Sequence, residues 1–148
     1  MDIKKLLIGA IAAFFAMFLL GYLWHTILMV DFYQNNTGEI GAIFREDTKV
    51  LFIGIGYFSL ALVMSYIYPK GAAGDNRIMD GIKFGAVMGF VWVVPLLSVL
   101  YGATTVFSKT FVFGDGIYHI VEGAIGGAII AMVYGKSNNT GGDKDSDE

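Results

Sequence analysis

Four long apolar runs, residues 6–30, 50–68, 84–106 and 117–134, constrain this chain more than anything else in its sequence. Each approaches or exceeds the ~20 residues with which an α-helix crosses a hydrocarbon core. Inside lipid, backbone groups must be satisfied within the spanning structure, which leaves helices or closed barrels. Barrel strands are segments of about ten residues alternating in polarity, and these runs are continuous. The sequence therefore predicts an all-α, polytopic membrane protein folded as a four-transmembrane-helix bundle. Composition agrees, since 55% of the 148 residues are apolar and 16% charged, against about 25% charged in an ordinary soluble domain. The charges are bunched between the runs.

One domain, residues 1–135, holds all four spans, at about 6–30, 50–68, 84–106 and 117–134. Lys4 and Lys5 stand where the n-region of a signal peptide would be. The apolar stretch after them is much longer than an h-region of ~7–15 residues, so it reads as a retained anchor. Pro69 is expected to end the second helix. Pro95 is expected to kink the third, freeing a carbonyl one turn earlier for Ser98 or a neighbouring helix. Residues 71–77, GAAGDNR, read as a flexible turn. The tail at 136–148 has no aromatic or branched apolar residue and ends in acidic groups; it is expected to be disordered.

Lysine and arginine beside the spans set orientation, because positive residues favour the cytoplasm. Lys4, Lys5, Lys70, Arg77, Lys83, Lys136 and Lys144 fall on one side, and only Arg45, Lys49 and Lys109 on the other. Both termini are then cytoplasmic, with residues 31–49 and 107–116 on the outer side. A net charge of −3 with no basic stripe argues against nucleic acid as a partner. Without cysteine there is no disulfide, thiolate metal site or cysteine nucleophile. No nucleophile motif, phosphate-cradling loop or recognised metal spacing is present either, which favours a protein that is not an enzyme.

Gly81, Gly85 and Gly89 recur every four residues in the third span, and Gly123 and Gly127 repeat the spacing in the fourth. Small residues so placed let helix backbones approach closely in lipid, so these two helices are expected to touch. Ala12 and Ala16 offer a weaker patch on the first helix, and Gly54 and Gly56 mark the second. The same faces could serve a homo-oligomer or another membrane protein.

Ionisable groups within spans are functional candidates by default, and there are few. His25 lies about 30 Å from the cytoplasmic end of the first helix at 1.5 Å per residue, and His119 about 25 Å above Lys136 by the same measure. The two histidines thus reach comparable depth. His119 and Glu122, three apart, share a helix face. Asp115 and Gly116 read as an N-cap opening the fourth helix, which makes Asp115 structural. Trp24, Tyr118 and Tyr22 suit an aromatic belt, while Tyr57, Ser98 and Tyr101 fall in the same half and can join a polar cluster.

Three uses of His25, His119 and Glu122 compete, with Tyr118 and Trp24 beside them as further ligand-binding candidates. They can hold a haem iron or a divalent metal. They can relay protons or bind a quinone or lipid headgroup. They can also form a hydrogen-bonded cluster that fixes helix register. The leading expectation is a binding or assembly component that works through helix packing and this outer-side cluster; an oligomeric transporter or channel is the further alternative.

Two stretches, GYLWHTILMVDF with Gly21, Trp24, His25 and Phe32, and DGIYHIVEGAIGGAI with Asp115, Tyr118 and His119, resemble an uncharacterised family of small bacterial four-helix membrane proteins, a domain of unknown function. His25 stands where that family tends to carry Tyr. The resemblance implies a multi-pass protein of the bacterial cytoplasmic, or inner, membrane. It carries no established activity, and it points again to Tyr118 and His119.

Overall fold

The computed structural model describes residues 2–36, 47–71 and 76–135. The expected disordered tail, most of the turn at 71–77 and Arg45 lie outside them. Among the described residues every regular element is helical: α1 (Ile3–Leu23), a π-helical segment (Trp24–Leu28), α2 (Val30–Asn36), α3 (Val50–Gly71), α4 (Arg77–Ala103) and α5 (Lys109–Tyr134). Four helices, Ile3–Leu28, Val50–Gly71, Arg77–Ala103 and Lys109–Tyr134, are long and apolar enough to cross a membrane. Their outward faces carry large apolar side chains such as Phe15, Leu19, Val99 and Phe113, an arrangement that suits lipid as the surrounding solvent.

Helix starts follow from short polar side chains that satisfy otherwise orphaned N–H groups. Asp2 accepts from the Lys5 N–H, Asn76 from Met79 and Ser108 from Phe111. The last cap corrects the expectation for Asp115. The fourth helix begins at Lys109 rather than near residue 117, and Asp115 lies inside it, buried. Gly114 and Gly116, which suggest a loop by composition, lie inside this helix, where Phe32 packs over Gly114 and Val94 over Gly116.

Pro69 does not end its helix: α3 continues through it to Gly71, and α4 includes Pro95 within its span. Ser98 donates to the carbonyl of Val94, four residues back at 2.7 Å, and not to the carbonyl that Pro95 leaves without a donor.

The central helix is α5. It packs along α4 and against α1 and touches α3, while α1 pairs with α3 and α3 scarcely meets α4. The α4–α5 seam is the expected glycine seam. A Cβ at Gly85 would run into the Gly123 carbonyl, one at Gly89 into that of His119, and one at Gly81 into that of Gly127. On α1 the buried stripe is Ala10, Ala13, Met17 and Gly21, one helical face, in place of the expected Ala12 and Ala16. Gly126 leaves room for the Met17 sulfur, which would lie 2.6 Å from a Cβ there.

At one end of the bundle, Lys5 Nζ donates to the Tyr134 carbonyl at 2.9 Å, and the Arg77 guanidinium donates to that of Gly135. Cations belong at a helix C-terminus, where carbonyls lack intrahelical partners. Residues 2 and 135 therefore share an end.

Candidate functional site

Away from that end, α1 gives way to a wider turn. The Met29 N–H donates to the Trp24 carbonyl at 3.0 Å, an i to i+5 bond, and the Thr26 hydroxyl takes the Tyr22 carbonyl. π-Helical turns of this kind are frequent at functional sites. Gly21, Trp24 and His25, three and four residues apart, project toward one stretch of α5. The Trp24 ring stacks on Tyr118, with centroids 4.5 Å apart and planes at 11°. The His25 ring lies 5.8 Å from that of His119. The two histidines that share a depth by residue counting therefore do meet.

On α5 the spacing Asp115, His119, Glu122 forms a single stripe of i, i+4 and i+7. Glu122 is 2% exposed, Asp115 6% and His119 7%. Burying a carboxylate among apolar helices is expensive unless its oxygens are hydrogen-bonded, and Glu122 has three donors. Oε1 accepts from the Tyr118 hydroxyl at 2.6 Å and from the Tyr57 hydroxyl at 3.2 Å. Oε2 accepts the Nδ1–H of His119 at 2.8 Å. An ionised carboxylate can only accept, so this pairing calls for the proton on Nδ1, and in a neutral ring that tautomer leaves Nε2 as the lone-pair atom. It lies 3.6 Å from Asp115 Oδ2. The other oxygen, Asp115 Oδ1, is 3.9 Å from His25 Nδ1.

Tyr57 reaches Glu122 from α3 because Gly21 stands in its path with no side chain. A Cβ at Gly21 would meet the Tyr57 hydroxyl and come within 3.3 Å of Glu122 Oε1. The centre thus ties α1, α3 and α5 together at one level.

Of the sequence-predicted residues, His25, His119, Glu122, Tyr118, Trp24 and Tyr57 come together. Tyr118 is buried and bonded to Glu122, so it is a constituent of the centre rather than of an aromatic belt. Tyr22 and Tyr101 are exposed, and the exposed Ser98 spends its hydroxyl on its own helix. Asp115 is the residue that sequence reasoning misassigned. Its spacing of four from His119 and seven from Glu122 was the available signal, overshadowed by the cap-like Asp–Gly pair.

Side-chain atoms of His25, Asp115 and His119, one from each residue, lie within 4.8 Å of one another. Two imidazoles and a carboxylate can coordinate a cation or pass protons along a line to Glu122. No protein-family model, curated protein or solved structure matches the chain.

Proposed function

We propose that the chain is a multi-pass protein of the bacterial cytoplasmic membrane and acts as a binding component, holding a small ligand in a polar centre within its outer half. Both termini lie in the cytoplasm on this reading, because the Lys- and Arg-rich connections belong to the end that holds residues 2 and 135. The observation that carries the binding reading is the convergence of four ionisable side chains, His25, Asp115, His119 and Glu122, among otherwise apolar helices. Such groups are rare within spans and concentrate where ligands or ions are handled.

His25 is the way in, since its side chain is 35% exposed whereas Asp115 and His119 are each 8%. A porphyrin between the histidines is disfavoured by Tyr118, whose ring lies 5.4 Å from that of His25 and 5.0 Å from that of His119.

Native mass spectrometry of the purified, untagged chain tests this. One small ligand per wild-type chain, absent from His119→Ala, is expected. Identical ligand-free spectra for both would contradict it. Single cysteines, unambiguous in a chain with none, test the orientation: Thr105→Cys should react with an impermeant maleimide in intact cells, and Lys4→Cys only after permeabilisation.

A further inference from the structure

We infer that His25, Asp115 and His119 are the ligands of one divalent first-row transition-metal ion, with Glu122 as the outer partner that orients His119. The inference rests on the centre being a ligand site, as proposed above, and names the ligand class. It replaces the set expected from sequence, in which Glu122 was a ligand and Asp115 a cap.

The separations sort the roles. At 2.8 Å, His119 Nδ1 and Glu122 Oε2 are directly bonded, and no ion fits between them. The gaps of 3.6 Å from His119 Nε2 to Asp115 and 3.9 Å from His25 Nδ1 to Asp115 are too long for hydrogen bonds. Two ligand atoms, each ~2.0–2.2 Å from a shared tetrahedral ion, stand roughly 3.3–3.6 Å apart. These two gaps run to different oxygens of Asp115, and single donor atoms from the three residues lie within 4.8 Å of one another, so closing all three on a common ion takes a contraction of up to about 1.5 Å. The side chain that must move most, His25, is the half-exposed one at the edge of the bundle.

Glu122 supplies the second observation. A metal-bound histidine characteristically gives its other N–H to a carboxylate, which fixes the ring and the tautomer. Glu122 does this for His119, and it is itself held by two tyrosine hydroxyls, so His119 Nε2 is presented toward Asp115 by a rigid support. Charge points the same way. Asp115 and Glu122 sit on a helix that has no Lys or Arg after Lys109, facing a helix that has none after Lys5. A dication would offset the charge that the two buried carboxylates carry when ionised.

Donor chemistry narrows the ion. Two imidazoles and one carboxylate suit zinc, iron, cobalt, nickel or copper(II). Calcium and magnesium prefer oxygen ligands throughout, and the chain has no thiolate to select copper(I). Three protein ligands leave a coordination position for water or an exogenous ligand, as in catalytic zinc sites and two-histidine-one-carboxylate iron sites.

Cobalt titration of the full chain in nanodiscs, stripped of metal beforehand and followed by visible d–d absorption, tests the site. The wild type should bind one Co2+ per chain, displaceable by Zn2+. Asp115→Asn and His25→Ala should each weaken binding more than about 100-fold, beyond the ~10–100-fold expected of Glu122→Gln as an outer partner. Glu122→Gln should also keep the band pattern of the wild type. His25→Ala removes only a half-exposed side chain, so it keeps the test valid if Asp115→Asn fails to fold. Zn2+ should raise the thermal midpoint of the wild type and not that of His25→Ala. A folded wild type that binds no cobalt, or binding that His25→Ala leaves unchanged, overturns the site. If an organic ligand lost on His119→Ala is nevertheless found by native mass spectrometry, the metal falls and the binding function stands. If neither is found, both fall.

Discussion

Glu122 is held by donors of unequal quality, and the difference can be measured. The Tyr118 hydroxyl reaches Oε1 from the preceding turn of the same helix at 2.6 Å, whereas Tyr57 comes from α3 at 3.2 Å. Interhelical hydrogen bonds in membranes average about 0.6 kcal/mol and reach about 1.7. Tyr57→Phe, which breaks an interhelical bond, should therefore destabilise the folded chain by about 0.5–1 kcal/mol, and Tyr118→Phe, whose bond lies within α5, by about 0.2–0.5 kcal/mol. Because the two hydroxyls share one oxygen, the double variant should depart from additivity. Reversible unfolding in bicelles reads all three. Equal, additive losses would mean that the tyrosines act only through packing. Glu122, His119 and Tyr118 were legible as candidates because an ionisable residue in an apolar run announces itself. Asp115 was not, because Asp–Gly at the edge of a run looks the same whether it opens a helix or lies a turn and a half inside one.

At the scale of elements, the α4–α5 seam is the part of the fold that sequence spacing specified best. Gly81, Gly85 and Gly89 opposite Gly123 and Gly127 need only a four-residue period, which survives without knowledge of any neighbour. Gly85→Ala places a Cβ against the Gly123 carbonyl, backbone that cannot turn aside; a loss of about 1–3 kcal/mol is expected from overpacking. Gly102→Ala, in the last turn of α4 with nothing within 4 Å of its added carbon, should be neutral or stabilising by up to about 1 kcal/mol. Thermal unfolding of the two variants in one detergent separates a packing requirement from a general dislike of alanine. The π-helical segment had no comparable signal. The extra residue in its turn lies where Trp24 and His25 meet α5, a tertiary contact that local periodicity does not encode. The start of α5 was obscured for a similar reason: Gly114 and Gly116 face Phe32 and Val94 from other elements, contacts that composition does not show.

Across the whole molecule, residue counting at 1.5 Å per residue placed His25 and His119 at one depth, but depth is a cylinder and not a point. Which faces meet was decided by α5 taking the centre of the bundle, with α4 on its glycine seam and α1 on the side that carries Asp115, His119 and Glu122. That placement turns a scattered set of polar residues into one centre at the end of the bundle away from residues 2 and 135, and it is the central claim. Copper(II) reports on it directly, because imidazole sites bind it tightly and the chain contains only two histidines. Pulsed electron paramagnetic resonance of the untagged, Cu2+-loaded chain should show modulation from two coordinated imidazoles in the wild type and from one in His25→Ala. A wild-type spectrum with a single imidazole, unchanged by His25→Ala, would contradict the convergence of α1 and α5 on a shared site.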